Sequence, residues 1–129
     1  MPELPEVETF TRYFARHALG QPIERVEVRD ERILTQRREA FVRALKGKAF
    51  AEVRRHGKHL FARCAVPRGT APASWLHLHF GMSGDLAYSR APVPAPRFAK
   101  IVFELDGGGR LAFEDMRLFG LANLVDDPD

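Results

Sequence analysis

Ala49-Phe50-Ala51-Glu52-Val53-Arg54-Arg55-His56-Gly57-Lys58-His59-Leu60-Phe61-Ala62-Arg63-Cys64-Ala65 is the stretch that decides the fold. Ala49–His56 and His59–Ala65 read as two strands, with Gly57-Lys58 as the turn of a hairpin between them. From this point onward the chain reads as all β. Further strands are predicted over Ser74–Phe80, Asp85–Tyr88, Arg97–Leu105, Arg110–Glu114 and Leu121–Val125. Asp106-Gly107-Gly108-Gly109 is a hairpin turn. Pro67–Pro72 and the proline-alternating Ala91–Pro96 read as surface loops.

On the N-terminal side of the hairpin the period changes. Val7, Phe10, Phe14 and Ala18 recur at spacings of three and four, which predicts a helix over Pro5–Leu19 with one apolar face. Pro5, Glu6 and Glu8 suit its first turn, and Gly20 suits its stop. Ile23–Arg29 alternates imperfectly but in the manner of a strand. Gln36–Lys46 reads as a second helix with Phe41, Ala44 and Leu45 buried and Gly47 ending it. A run of strands with helices at one end of the sequence predicts an α+β fold, a two-layer antiparallel β-sandwich with two flanking helices.

The 129 residues correspond to one domain, long enough to bury roughly two-thirds of its unfolded surface. No apolar run approaches the roughly 20 residues of a membrane helix, and the acidic N-terminus has no signal-peptide pattern. The single cysteine, Cys64, excludes an internal disulfide and a four-cysteine zinc site, so a reducing, cytoplasmic location is expected. The formal charge is +3, and sixteen of the twenty basic residues are arginines, whose planar fork suits phosphate. That balance is compatible with nucleic acid and does not demonstrate it.

The chemistry begins at the first residues, Met1-Pro2-Glu3-Leu4-Pro5-Glu6-Val7-Glu8-Thr9. Removal of Met1 would leave Pro2 with a secondary amine. Such an amine attacks an aldehyde-like carbon, and the resulting iminium has no N–H proton to lose, so it stays cationic and acts as an electron sink. Glu3 and Glu6 supply two proton-transfer groups within one helical turn. A plain N-terminal proline followed by a solvated acidic first turn is the alternative.

Three later blocks accompany this start in order: Arg54-Arg55-His56-Gly57-Lys58-His59-Leu60, His79-Phe80-Gly81-Met82-Ser83-Gly84 and Asp115-Met116-Arg117-Leu118-Phe119-Gly120. Together the four resemble the N-terminal domain of the formamidopyrimidine-DNA glycosylases, bifunctional base-excision repair enzymes related to endonuclease VIII. Leu4 and Val7 favour the formamidopyrimidine branch. The resemblance implies that Pro2 attacks C1′ of the damaged nucleotide, displaces the base and leads to elimination at the flanking phosphates. It implies Glu3 as general acid/base, and Glu6 as a second carboxylate that positions or protonates the opening sugar. Lys58 would contact a phosphate near the lesion and, as a fourth catalytic residue, assist proton transfer during elimination. Met82, Arg117 and Phe119 would be wedges that fill the space of the extruded base, Arg117 facing the orphaned partner.

Each assignment has a plainer reading beside it: a turn lysine for Lys58, a core aromatic for Phe119, a solvated strand residue for Lys100, which otherwise reaches phosphate. His77 and His79 share a strand face, which suits a metal, but no third ligand is evident and a structural or DNA-facing role is expected. The last block has Met116 and Leu118 where the family often has proline and arginine, and Phe98 stands where a histidine is common.

By the resemblance a helix–two-turn–helix domain and a zinc finger would follow Asp129, so no cofactor or metal is expected within these residues. The expected partner is double-stranded DNA with oxidised or abasic sites, bound by a monomer, with no membrane. The alternative is a module that binds damaged or abasic DNA without turnover, or an inert remnant.

Overall fold

Eight strands in two antiparallel sheets carry the architecture, seen in a computed structural model that describes residues 4–66, 74–81, 84–90, 92–115 and 120–126, with side chains from Val7 onward. Pro2, Glu3, Met82, Arg117 and Phe119 lie outside the described residues, as does the Glu6 side chain. The departures at Met116 and Leu118 and the loop 67–72 lie outside them too.

Helix α1 spans Leu4–Ala18 and strand β1 Ile23–Val28. Helix α2 spans Arg38–Leu45, and the predicted hairpin is β2, Ala49–His56, with β3, His59–Ala65. The remaining strands are β4 (Ser74–His79), β5 (Gly84–Arg90), β6 (Ala99–Leu105), β7 (Gly109–Asp115) and β8 (Leu121–Val125). One sheet has the order β2-β3-β4-β8, the other β1-β6-β7-β5. The expected α+β sandwich with two helices is the observed fold.

The alternation of β3 and β4 sorts the two faces of the first sheet. Leu60, Ala62, Cys64, Leu76 and Leu78 point inward and are fully buried. They meet Ile101, Phe103, Leu111 and Phe113 from the second sheet in one core. Helix α1 packs on both edge strands, β2 and β5. Its Val7, Phe14 and Ala18 are buried as the spacing predicts, and Phe14 meets Phe50 edge-on at 4.8 Å. The Tyr13 hydroxyl accepts the Tyr88 backbone N–H at 2.6 Å, which satisfies a donor on edge strand β5.

Three differences from expectation have physical causes. The imperfect alternation of β1 is a bulge between Ile23 and Arg25, which puts Ile23 and Val26 on the core side. Helix α2 begins at Arg38, two residues late, because Gln36 is engaged elsewhere. Its side-chain amide donates to the Leu124 carbonyl at 3.1 Å and accepts the Leu124 N–H at 2.7 Å, completing the edge of β8 as a further strand would. Before it, Asp30 accepts the Arg32 N–H and starts a short 3-10 turn over Glu31–Ile33 that buries Ile33. Finally, 97–98 form a turn, so β6 starts at Ala99.

Candidate nucleic-acid interface

The sheet registers carry the later motif blocks to one end of the sandwich. His56 pairs with His59 around the Gly57-Lys58 turn, His59 with His79, and His79 with Leu121. In the second sheet Gly84 pairs with Asp115. The chain therefore leaves β4 at His79 and re-enters β5 at Gly84, opposite the point where β7 leaves toward β8. The described ends of three connections, at 57–58, at 80–81 with 84, and at 115 with 120, therefore lie at this end although they are distant in sequence.

Helix α1 points its N-terminus to the same end. Near its start, Glu8 accepts a bond from Arg55 Nε at 2.8 Å, and Phe10 stacks on Phe80 with ring centres 4.4 Å apart. At its far end Leu19 bridges to Phe50. The positive end of the helix dipole thus faces the edge that the turns form. The hydrogen bond from Arg55, with its charge, holds the Glu8 carboxyl below the usual range.

Of the residues proposed from sequence, Lys58 is described here, half-buried in a turn that Gly57 permits with φ of 59°. Its neighbours Arg54 and Arg55 take opposite faces of the sheet. Arg54 pairs with Glu52 at 2.7 Å and sits 4.8 Å over the Trp75 ring on the outer face. Arg55 reaches Glu8 and the Gly57 carbonyl. Trp75 is buried on that outer face under Arg54, away from the sandwich core. Lys100 is not brought to Lys58: it lies on β6, its ammonium 3.8 Å from Asp30.

Close backbone contact shapes the described ends of these connections. Gly81 has φ of 61°, whereas Gly84 is needed for space, since a Cβ there would stand 2.4 Å from the Phe80 carbonyl oxygen. Asp115 is the buried charged side chain among the described residues, and its Oδ2 accepts the Gly120 N–H at 2.6 Å. Phe98, 40% exposed, accepts the Asp115 N–H on its carbonyl at 3.3 Å, with Arg97 beside its ring. Sequence reasoning placed Asp115 in a motif but missed its burial.

Sequence reasoning also missed a polar chain across the outer face. His77 Nδ1 lies 3.0 Å from Asn123 Oδ1, and His77 Nε2 lies 2.8 Å from His59 Nδ1. The His79 ring is centred 4.8 Å from that of His59, and Phe61 stacks on His77 at 4.6 Å. Burial first, then neighbouring imidazoles, lower the proton affinity of His59 and His77; the Asn123 contact opposes this at His77. The i, i+2 signal of His77 and His79 gave the shared face but not its partners. Among the described residues no three His, Cys, Asp or Glu side chains are arranged to hold a metal.

Comparison with known proteins follows the same lines. The model of the formamidopyrimidine-DNA glycosylase N-terminal domain matches residues 1–122. The chain is 40% identical over 126 residues to the formamidopyrimidine-DNA glycosylase of Symbiobacterium thermophilum, covering 97% of this chain and 39% of that protein. It is 39% identical over 120 residues to the enzyme of that name from Pseudomonas entomophila, covering 93% of this chain and 42% of the relative. The chain thus spans about two-fifths of the length of these relatives. Among solved structures it is similar to Lactococcus lactis Fpg in complex with DNA containing an abasic site. That similarity has a TM-score of 0.85 and 27% identity over 96% of this chain and 44% of the other. MutM in complex with DNA containing carbocyclic 8-oxo-G gives a TM-score of 0.86 at 27% identity, covering 96% of this chain and 44% of that one. With the family model matching almost the whole chain, the fold matching its solved members and the motif blocks meeting at one edge, the chain belongs to the formamidopyrimidine-DNA glycosylase N-terminal domain family.

Proposed function

We propose that this chain is the catalytic portion of a base-excision repair enzyme, a DNA glycosylase with abasic-site lyase activity that removes oxidised purines. The observation that carries this reading is the convergence of the three motif-bearing connections with the positive end of α1 at one edge. Pro2, once freed of Met1, is the nucleophile toward C1′ of the damaged nucleotide. Its amine nitrogen bonds to the carbon as the bond to the base breaks, and the iminium then draws electrons during elimination at the phosphates. Glu3 moves the protons, and Glu6 assists the opening sugar.

Lys58 contacts a phosphate, supported by its place at that edge between Arg55 and His59. Met82, Arg117 and Phe119, from two of the converging connections, fill the stack where the base is extruded. Such wedges offset an unstacking cost of about a few kcal/mol. We give Lys100 no DNA role, because Asp30 is its partner. The protein acts as a monomer in the bacterial cytoplasm, without a cofactor in these residues.

The test is binding and strand cleavage on a duplex with one abasic site at low salt, against an undamaged duplex. The 129 residues are expected to prefer the abasic duplex, to nick it slowly and to excise an oxidised purine poorly. Lys58→Ala is expected to lower affinity and to reduce the slope of log affinity against log salt by about 0.9, one phosphate contact. Preference for the abasic duplex without any nicking would favour a non-catalytic damage-binding module. Equal binding to both duplexes without nicking would overturn the reading altogether.

A further inference from the structure

Strand β1 lies at the edge of its sheet, and its outward side is only partly paired. Its hydrogen-bonding phase is fixed at both ends. Ile23 turns away from β6: its N–H donates to the Lys48 carbonyl at 2.7 Å, and its carbonyl accepts the Gly47 N–H at 2.9 Å. Arg29 turns toward β6 and donates its N–H to the Lys100 carbonyl at 2.8 Å. With the bulge between Ile23 and Arg25, the alternation of an antiparallel ladder turns Glu27 toward β6, and Val26 and Val28 outward. Among the described residues no hydrogen bond continues the outward pairing at Val26 or Val28. Other edges carry partners, Gly20 on β2, Tyr13 on β5 and Gln36 on β8.

Beside this edge, α2 forms the second wall of a groove of about 560 Å³. Val26, Val28 and Val42 supply its apolar surface, and Arg38, Arg43 and Lys46 its positive charge. One carboxylate lines it, Glu39, which stands 3.9 Å from Arg38. Arg38, Val42 and Lys46 follow one another at i, i+4 and i+8, so one helical stripe reads cation, aliphatic, cation. Each step along the stripe is about 6 Å of helix rise. Same-face side chains of a strand recur about every 6.7 Å. A strand laid beside β1 would therefore set three successive same-face side chains along the stripe.

The chemistry of the groove selects its occupant. Val26 and Val28 turn both N–H donors and carbonyl acceptors outward, so a full partner must bring both. A phosphodiester backbone only accepts, and a helix has spent its backbone groups on itself. A second copy of this chain, edge to edge, would bring a second set of the same cations to the groove, and like charges in contact oppose it. An extended peptide supplies donor and acceptor together, with pockets for its alternate side chains.

We infer that the groove between β1 and α2 docks an extended acidic segment of a partner protein, added to the sheet beside β1. Its side chains facing α2 read acidic, aliphatic, acidic at every second residue. The aliphatic one lies on Val42, the carboxylates meet Arg38 and Lys46, and Arg43 adds to the field. The site uses none of the residues assigned to the DNA edge.

The experiment is fluorescence anisotropy of a labelled peptide with the core glutamate-threonine-valine-threonine-glutamate, titrated with the 129-residue chain at low salt. Saturable binding is expected. Arg38→Glu combined with Lys46→Glu is expected to weaken it at least about tenfold, and so is lysine in place of both peptide glutamates. Both substituted residues are exposed, and thermal melting checks that the variant is folded. N-methylation of the peptide tests strand addition without touching the protein. Methyl groups at one alternate set of positions are expected to abolish binding, and at the other set to leave it unchanged within error. No saturable binding, equal binding of the lysine peptide, or tolerance of N-methylation at every position would overturn the inference. So would a concentration-dependent dimer that the double variant abolishes, or displacement of the peptide by undamaged duplex DNA, since these place a second copy or nucleic acid in the groove.

Discussion

Asp115 and Gly120 close their connection on itself: the buried carboxylate accepts the Gly120 N–H at 2.6 Å, tying the end of β7 to the start of β8. The residues between them, 116–119, carry two of the proposed wedges, so this bond roots the segment on which they depend. Asp115→Ala would strand a half-buried N–H and leave a void. A loss of about 2–4 kcal/mol is expected, read from urea unfolding. Gly120→Ala tests the same root independently. Its Cβ would stand 2.3 Å from the His79 carbonyl oxygen and 2.9 Å from Asp115 Oδ2, so backbone must move. A loss of about 1–3 kcal/mol is expected. Unfolding midpoints within error of the parent for both would show that the bond does not hold the connection.

Glu114 and Asp85 stand directly opposite each other on β7 and β5. Burial, and then the Asp85 charge, push the Glu114 carboxyl up from its ordinary 4.5. A raised carboxyl costs stability at pH values above 4.5, where the unfolded chain ionises more readily, and costs nothing once both states are protonated. Glu114→Gln is therefore expected to raise the melting temperature at pH 7, by the equivalent of about 0.5 kcal/mol, and to lose this advantage below pH 4.5. A melting temperature unchanged or lowered at pH 7 would contradict the pairing.

The imidazoles set a pH dependence of the opposite sign. His17 is lowered by burial and then by Arg16, and it stacks on Tyr88 at 4.3 Å. His59 and His77 are lowered as well. In each case the unfolded form takes up a proton near 6.5 while the folded form resists, so unfolding binds protons below that value. Stability is expected to be level above pH 6.5 and to fall as the pH drops through and below it. His77→Phe should remove part of that slope. A denaturation series showing no slope between pH 7 and 5 would count against half-buried imidazoles that resist protonation.

Cys64 lies fully buried in β3, and burial pushes its thiol up to about 12. A thiol held protonated has little thiolate to react. Alkylation at pH 8 is expected to label the unfolded chain and to leave the native chain essentially unlabelled over the same interval. Rapid native labelling would place Cys64 outside the core.

Local pattern made most of the sandwich legible. The hairpin across Gly57-Lys58 ends where the strand and turn signals put it, because both are properties of neighbouring residues. The start of α2 was not legible, since Gln36 is recruited by Leu124, 88 residues away. The bulge in β1 hid its period. At the candidate site the motif blocks identified the connections by resemblance, but not how they meet, which depends on the registers of both sheets. The burial of Asp115 has no local trace, because aspartate is rarely buried and one of its partners is a backbone N–H, which carries no sequence signature. The His59–His77–Asn123 chain needs three strands in register and so has no local trace.

The central claim is that the amine of Pro2 attacks the sugar at this edge. Its most direct test is borohydride trapping of the chain on abasic duplex, with protein beginning at Pro2 beside protein that retains Met1, followed by mass analysis of the cross-linked peptide. A covalent adduct on the N-terminal peptide, from the first protein alone, is expected. An adduct on a lysine peptide, an adduct of equal yield from both proteins, or none from either at low salt would contradict it.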